Sequence, residues 1–128
     1  MNEPVVVEVG LGERAYDILI GPGLLARAGE EIARRMPGIR AAIVTDANVA
    51  GAHLAALVAS LDASGISAEP VVLPPGEKTK SFSHLEQVVD AVLAARLERG
   101  DVVIALGGGV IGDLAGFAAA ITRRGMRF

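Results

Sequence analysis

The run Val102-Val103-Ile104-Ala105-Leu106-Gly107-Gly108-Gly109, which continues through apolar residues to Thr122, restricts the fold of this chain more than any other feature. Between positions 102 and 122 the one charged residue is Asp113, so the stretch is long enough to cross a bilayer. Two costs oppose that. A carboxylate near the centre of a spanning helix costs roughly 2.5–3.5 kcal/mol, and each glycine adds about 1 kcal/mol to a helix running through it. A buried strand, a glycine turn and a following helix accommodate the same residues without either cost. The chain is therefore read as an α/β protein with no membrane segment.

The rest of the chain follows that alternation. Val5–Val9 and Tyr16–Ile20 flank a glycine-containing turn and predict an N-terminal β-hairpin. Gly21-Pro22-Gly23 starts a helix with Leu24, Leu25, Ala28, Ile32 and Met36 on one face, and Pro37-Gly38 stops it. Ala41–Val44 is a short buried strand. Leu54, Leu57, Val58 and Leu61 recur at helical spacing before Gly65, a candidate C-terminal cap. Pro70–Leu73 is the next strand, with Pro70 at its first position. Ser83 and Glu86 have the spacing of a capping box for a helix carrying Leu85, Val88, Val89, Val92 and Leu93, which Arg99-Gly100 would end. The last helix, Val110–Thr122, has so little polar surface that it is expected to be buried all round. The expected fold is a Rossmann-like parallel sheet with helices on both faces, preceded by the hairpin.

Composition narrows the function. The chain has no cysteine, which excludes disulfides, thiolate catalysis and Cys-based zinc sites. A net charge of −3 disfavours nucleic acid as the main partner. His53 and His84 stand alone on predicted helices and read as surface residues, not metal ligands. The first residues lack a basic segment followed by an apolar run, so a cytoplasmic location is expected.

In a parallel sheet of this kind, ligands bind beyond the carboxyl ends of the strands. Three segments leave those ends: Thr45–Asn48, Pro74–Lys80 and Gly107–Asp113. Glycines let backbone approach a ligand closely, and a helix N-terminus offers unpaired N–H groups to an anion. Gly107, Gly109 and Gly112 also fit the dinucleotide spacing G-x-G-x-x-G, between a strand and a helix as that motif requires. Asp113 reads either as a carboxylate favouring the positive helix end or as a partner for a cofactor hydroxyl. Lys78 and Lys80 are the only lysines in the chain, and both lie in the second segment with Glu77. Asp46 or Asn48 could cap the next helix; Asp46 could equally hold a ribose or nicotinamide group.

Four ordered segments resemble the 3-dehydroquinate synthase family: Leu11–Arg14 with Tyr16–Ile18, Thr45–Val49, Pro75–Lys80, and Ala105–Phe117. The resemblance implies an NAD-dependent lyase of the shikimate pathway, acting on a seven-carbon sugar-acid phosphate. It places Asp46, Asn48, Glu77, Lys78, Thr79, Lys80, Gly108, Gly109, Val110 and Asp113 around NAD, with Arg124 reaching the substrate. Residues 120–123 depart from the family pattern just before Arg124. The family's divalent metal, zinc or cobalt, is held by one Glu and two His of a later helical domain. Residues 1–128 are thus expected to form the N-terminal NAD-binding domain, without that C-terminal metal-binding domain, with no metal site and no catalytic residue in this fragment, and to be inactive by themselves. A homodimer is the expected assembly. The competing readings are another NAD-dependent sugar-phosphate cyclase, a polyol dehydrogenase domain, or a stand-alone nucleotide-binding module.

Overall fold

The computed structural model describes residues 3–128. Strands β1 (Val5–Val9) and β2 (Tyr16–Ile20) pair antiparallel, with Val5 opposite Ile20 and Val9 opposite Tyr16. Helix α1 (Ala28–Arg35) leads to β3 (Ala41–Asp46). The chain then forms one helical turn, α2 (Ala47–Val49), a wider π-type turn (Ala50–Leu54) and α3 (Ala55–Ala63). Strand β4 (Ala68–Leu73), helix α4 (Phe82–Ala94), strand β5 (Val102–Leu106) and helix α5 (Gly109–Ile121) complete the order. Strands β4, β3 and β5 lie side by side in that order and all run parallel. The expected architecture, hairpin included, is therefore the observed one.

Alternation along β3 divides the interior into two layers. Ala42 and Val44 face α4 and α5, joining Val71, Leu73, Val88, Val92, Val103, Ile111 and Leu114. Ala41 and Ile43 face α1 and α3, with Leu57, Leu61 and Ile66. Both faces of the sheet are covered, which is why its strands read as unbroken apolar runs. The hairpin differs: Val5, Val7, Tyr16, Ile18 and Ile20 share one face, and all are exposed.

Several boundaries differ from the sequence reading. Strand β4 begins two residues before Pro70, which pairs opposite Ile43; proline is tolerated because β4 is an outer strand. Helix α4 is capped by Ser81, not by a Ser83–Glu86 box: the Ser81 hydroxyl accepts from the His84 backbone N–H at 3.3 Å. It ends at Ala94, well before Arg99-Gly100, in a Schellman turn. The Arg96 N–H bonds to Leu93, the Leu97 N–H bonds to Val92, and Arg96 takes the left-handed conformation at φ 58°. Helix α3 closes the same way with Gly65 at the left-handed position, as expected, and Ile66 bonding back to Leu61. Helix α5 starts one residue early at Gly109 and is not buried all round. Packing against β5 and α4 covers Ile111, Leu114, Ala115, Ala118 and Ala119, while Phe117 and Ile121 stay exposed.

At the amino edge of the sheet, Asp101 ties three segments together. Its two carboxylate oxygens accept the backbone N–H groups of Arg40, at 2.9 Å, and Glu98, at 2.7 Å. The Arg40 guanidinium lies 3.5 Å away. Burial opposes ionisation of this carboxyl, but the two backbone N–H groups and the guanidinium outweigh it and hold Asp101 below the usual carboxylate range.

Candidate functional site

Parallel register gathers the three expected segments at one edge. Thr45 lies beside Leu106, and Asp46 beside Leu73. Asp46 therefore stands between the start of the Pro74 loop and the start of the glycine turn, strands being about 4.8 Å apart.

The glycine turn is built for close approach. A Cβ on Gly107 would come within 3.1 Å of the Ile111 side chain, so this residue must be small for the turn to fold onto its own helix. At Gly108 and Gly109 a Cβ would meet nothing within 4 Å. Both are exposed, and their open side faces away from the protein. Gly108 is the N-cap of α5 and has no side chain to satisfy the first-turn N–H groups. The thirteen-residue helix thus presents its positive end, and the N–H groups of Gly109, Val110 and Ile111, without a partner among the described residues.

Beside it, the Lys80 ammonium donates to the Asp113 carboxylate at 2.9 Å, joining the β4–α4 loop to the second turn of α5. That hydrogen bond, then the charges of Asp113 and Glu77, raise the Lys80 pKa above the ordinary lysine value. The pair rims a cleft of about 380 Å³ whose walls include Phe82, Leu85, Leu114 and Phe117. A volume of this size suits a small ligand.

The loop before Lys80 is shaped from within. Gly76 adopts φ 103°, and a single 3₁₀ turn covers Glu77–Thr79. Thr79 is buried and its hydroxyl donates to the Pro74 carbonyl, so it holds the loop's shape, while Glu77 and Lys78 are exposed. Asp46 uses one oxygen to accept the Val49 N–H at 2.9 Å, capping α2. Asn48 is exposed in that first turn. Asp46, Asn48, Glu77–Lys80, Gly108–Val110 and Asp113 thus share the carboxyl edge. Arg124 does not. It follows the far end of α5, about 20 Å along the helix axis from Gly109, with a left-handed backbone at φ 60°.

Two features escaped the sequence reading. His84 is half-buried, not a plain surface residue, because its Nδ1 lies 2.9 Å from the Ser81 hydroxyl that caps its helix. The Thr45 hydroxyl is fully buried and has no hydrogen-bond partner among the described residues. Among the described residues no group of three His, Cys, Asp or Glu side chains could hold a metal ion. No helix among them is long and apolar enough to cross a membrane.

The fold and this edge define a Rossmann-like α/β domain with an anion-ready helix terminus at the carboxyl ends of its strands. Residues 70–128 match the family model described as 3-dehydroquinate synthase N-terminal. The 3-dehydroquinate synthase of Mesorhizobium japonicum is 72% identical over 127 residues, covering 99% of this chain and 34% of that protein. The Brucella ovis enzyme is 62% identical over 134 residues, covering 100% of this chain and 35% of its own length. The chain is a homologue of the N-terminal region of 3-dehydroquinate synthases, and spans about a third of the length of these relatives. Among solved structures, a Streptomyces hygroscopicus 2-epi-5-epi-valiolone synthase with NAD+ and Zn2+ bound superposes with a TM-score of 0.74 at 33% identity, over 92% of this chain and 32% of that one. A 2-deoxy-scyllo-inosose synthase shares the fold with a TM-score of 0.83 at 20% identity, over 95% of this chain and 34% of that one.

Proposed function

We propose that this chain forms the NAD-binding wall of a 3-dehydroquinate synthase, a shikimate-pathway lyase that converts a seven-carbon sugar-acid phosphate into 3-dehydroquinate. The observation that carries the nucleotide site is the uncapped, glycine-opened terminus of α5 beside Lys80. In this reading the dinucleotide diphosphate lies against the N–H groups of Gly109 and Val110, where Gly108 leaves room for it. Lys78 and Lys80 offset its charge, with Glu77 and Thr79 shaping their loop. Asp113 and Asp46, with Asn48 beside it, accept hydrogen bonds from ribose hydroxyl or nicotinamide amide groups. NAD, when bound, supplies a reversible hydride acceptor; these residues orient it and exclude water from one side.

The metal is a different matter. The valiolone synthase above is described with Zn2+ as well as NAD+, but the described residues here offer no ligand set for a divalent ion. A zinc or cobalt site would come from the rest of a full-length synthase, and no step of the chemistry is assigned to a metal here. In the same reading the whole enzyme is a cytoplasmic homodimer. Arg124, if it meets substrate, does so at the end of α5 remote from the glycine turn. An identity of 72% to a dehydroquinate synthase, against 33% to the valiolone synthase and 25% to an NADH-dependent butanol dehydrogenase, favours the synthase over the other cyclases and dehydrogenases.

Titrating NAD into the 128-residue chain and following backbone amide resonances tests the site. The expected result is weak, fast-exchanging binding that moves Asp46, Gly108, Gly109, Val110 and Asp113. Perturbations elsewhere, or none, would remove the NAD assignment. Submicromolar affinity by calorimetry would favour a self-sufficient nucleotide module. Metal-dependent dehydroquinate formation by this chain, without the rest of a synthase, would overturn the division of labour.

A further inference from the structure

We propose that the cleft between Arg99 and Arg127, at the amino edge of the sheet, binds a phosphate group, either the free ion or the phosphate of a small sugar phosphate. The cleft measures about 450 Å³ and is lined by Arg99, Gly100, Gly125, Met126 and Arg127. Two arginines and no acidic residue line it. Its floor is Met126, part of the α4–α5 core layer and 8% exposed. Gly100 and Gly125 bring bare backbone to its rim.

The two arginines are set up differently. Arg99 Nε donates to the Gly125 carbonyl at 3.3 Å, which fixes the fork while its terminal nitrogens make no hydrogen bond among the described residues. The Arg127 side chain makes neither a hydrogen bond nor an ion pair among them, although its carbonyl accepts the Val103 N–H at 2.9 Å and anchors its backbone to β5. A guanidinium with fixed orientation and unused donors matches the oxygens of a phosphate, two at a time.

The surroundings reinforce the sign. Arg123 Nε donates to Leu97 at 3.2 Å, and Arg40 donates to Ala95 and Arg96 carbonyls. Arg40, Arg96, Arg99, Arg123, Arg124 and Arg127 therefore share this edge with Glu98 and Asp101, and Asp101 is already engaged by Arg40. A chain of net charge −3 has collected a surplus of positive charge at one end. Unpartnered like charges repel, and a dianion between two of them relieves that repulsion where a single carboxylate would do so less. This inference does not depend on the NAD reading, since the glycine turn lies at the opposite edge.

The test is a titration of inorganic phosphate into the 128-residue chain at constant ionic strength, with sodium chloride as the control and amide resonances as the readout. Saturating shifts are expected at Gly100, Gly125 and Arg127, and glucose 6-phosphate should move the same amides, with further shifts around the cleft if the sugar is held as well. Arg127→Gln removes a side chain with no partner among the described residues, so the fold should persist and phosphate affinity should fall about fivefold or more. Arg99→Gln should weaken binding similarly, while Arg14→Gln, in the turn of the N-terminal hairpin, should leave it unchanged. Shifts reproduced by chloride, an affinity unaltered in Arg127→Gln, or shifts confined to residues 107–113 would each overturn the proposal.

Discussion

Lys80 and Asp113 meet across 33 residues of sequence, ammonium to carboxylate at 2.9 Å, and so fasten the loop after β4 to the helix after β5. Both groups are solvent-exposed, with side-chain exposures of 45% and 69%, so the contact is expected to add little to folding stability. Its measurable consequence is on titration. Asp113→Asn should return the Lys80 pKa toward the ordinary lysine value, because the hydrogen bond and charge that raise it are lost. The sign follows from a raised folded pKa: whatever the pair contributes is present below the unfolded lysine value and fades as pH climbs through the folded one. A ¹⁵Nζ or ¹³Cε titration of Lys80 identical in the two proteins would show that the ion pair is not populated in solution. Raised salt should shrink the difference.

At the other edge, Asp101 titrates with the opposite sign. Its folded pKa is depressed, so its contribution is complete above the unfolded value, about 3.9, and is lost as pH falls through the folded one. Asp101→Asn leaves one oxygen to accept and turns an amide toward the other backbone N–H. Destabilisation of about 1–3 kcal/mol is expected near neutral pH, narrowing as pH falls below the unfolded value towards the lower folded one. Urea midpoints for the two proteins across that range provide the check; a gap independent of pH would rule out ionisation as the source.

Much of the architecture was legible because the physics is local. Apolar runs punctuated by glycine announce buried parallel strands, and Gly107–Gly109 marks the tight turn from β5 into α5. The end of α4 was not legible, because Arg96 occupies the left-handed position where glycine is expected, at a cost of roughly 1–2 kcal/mol. What balances it is tertiary: Leu97, directly after the turn, is buried in the core layer with Val92. The Asp101 network could not be read either, since one of its partners, Arg40, lies 61 residues away. Within the site, the positions of Asp46, Lys80 and Asp113 followed from strand order. The inward turn of Thr79 and the isolation of Arg124 at the far end of α5 did not.

Gly29 sits where α1 crosses α3, its N–H donating to the Ser60 hydroxyl at 2.9 Å. A Cβ there would overlap the Ser60 carbonyl and its backbone carbon, neither of which can move without shifting α3. Gly29→Ala gains about 1 kcal/mol of helix propensity but forces the helices apart, an overpacking cost of typically 1–3 kcal/mol or more. Net destabilisation is expected, seen as a lower denaturant midpoint. A more stable variant would mean that the two helices do not pack this closely.

Thr45 presents the reverse case. Its side chain follows Ala41 and Ile43 on the α1–α3 face of β3, is 0% exposed, and leaves its hydroxyl without a partner among the described residues. A buried, unsatisfied hydroxyl costs about 1–3 kcal/mol, and valine fills nearly the same volume without that cost. Thr45→Val should raise the thermal midpoint. A fall instead would reveal a hydrogen bond from the hydroxyl to an internal water.

Gly107, Gly108 and Gly109 are adjacent in sequence yet should respond differently to the same change. Alanine at Gly107 would press within 3.1 Å of Ile111 and disturb the start of α5, so stability and ligand binding should fall together. Alanine at Gly108 meets no protein atom within 4 Å, and its backbone, at φ −85° and ψ −160°, suits any residue. Gly108→Ala should therefore leave the denaturation midpoint within about 0.5 kcal/mol of the parent. If a diphosphate lies against this terminus, the new methyl group stands where the ligand must, and NAD affinity should drop at least tenfold, about 1.4 kcal/mol. Calorimetry and denaturation on the same variant separate the two effects. Undiminished NAD binding by Gly108→Ala would mean that the space outside Gly108 is not where the cofactor lies.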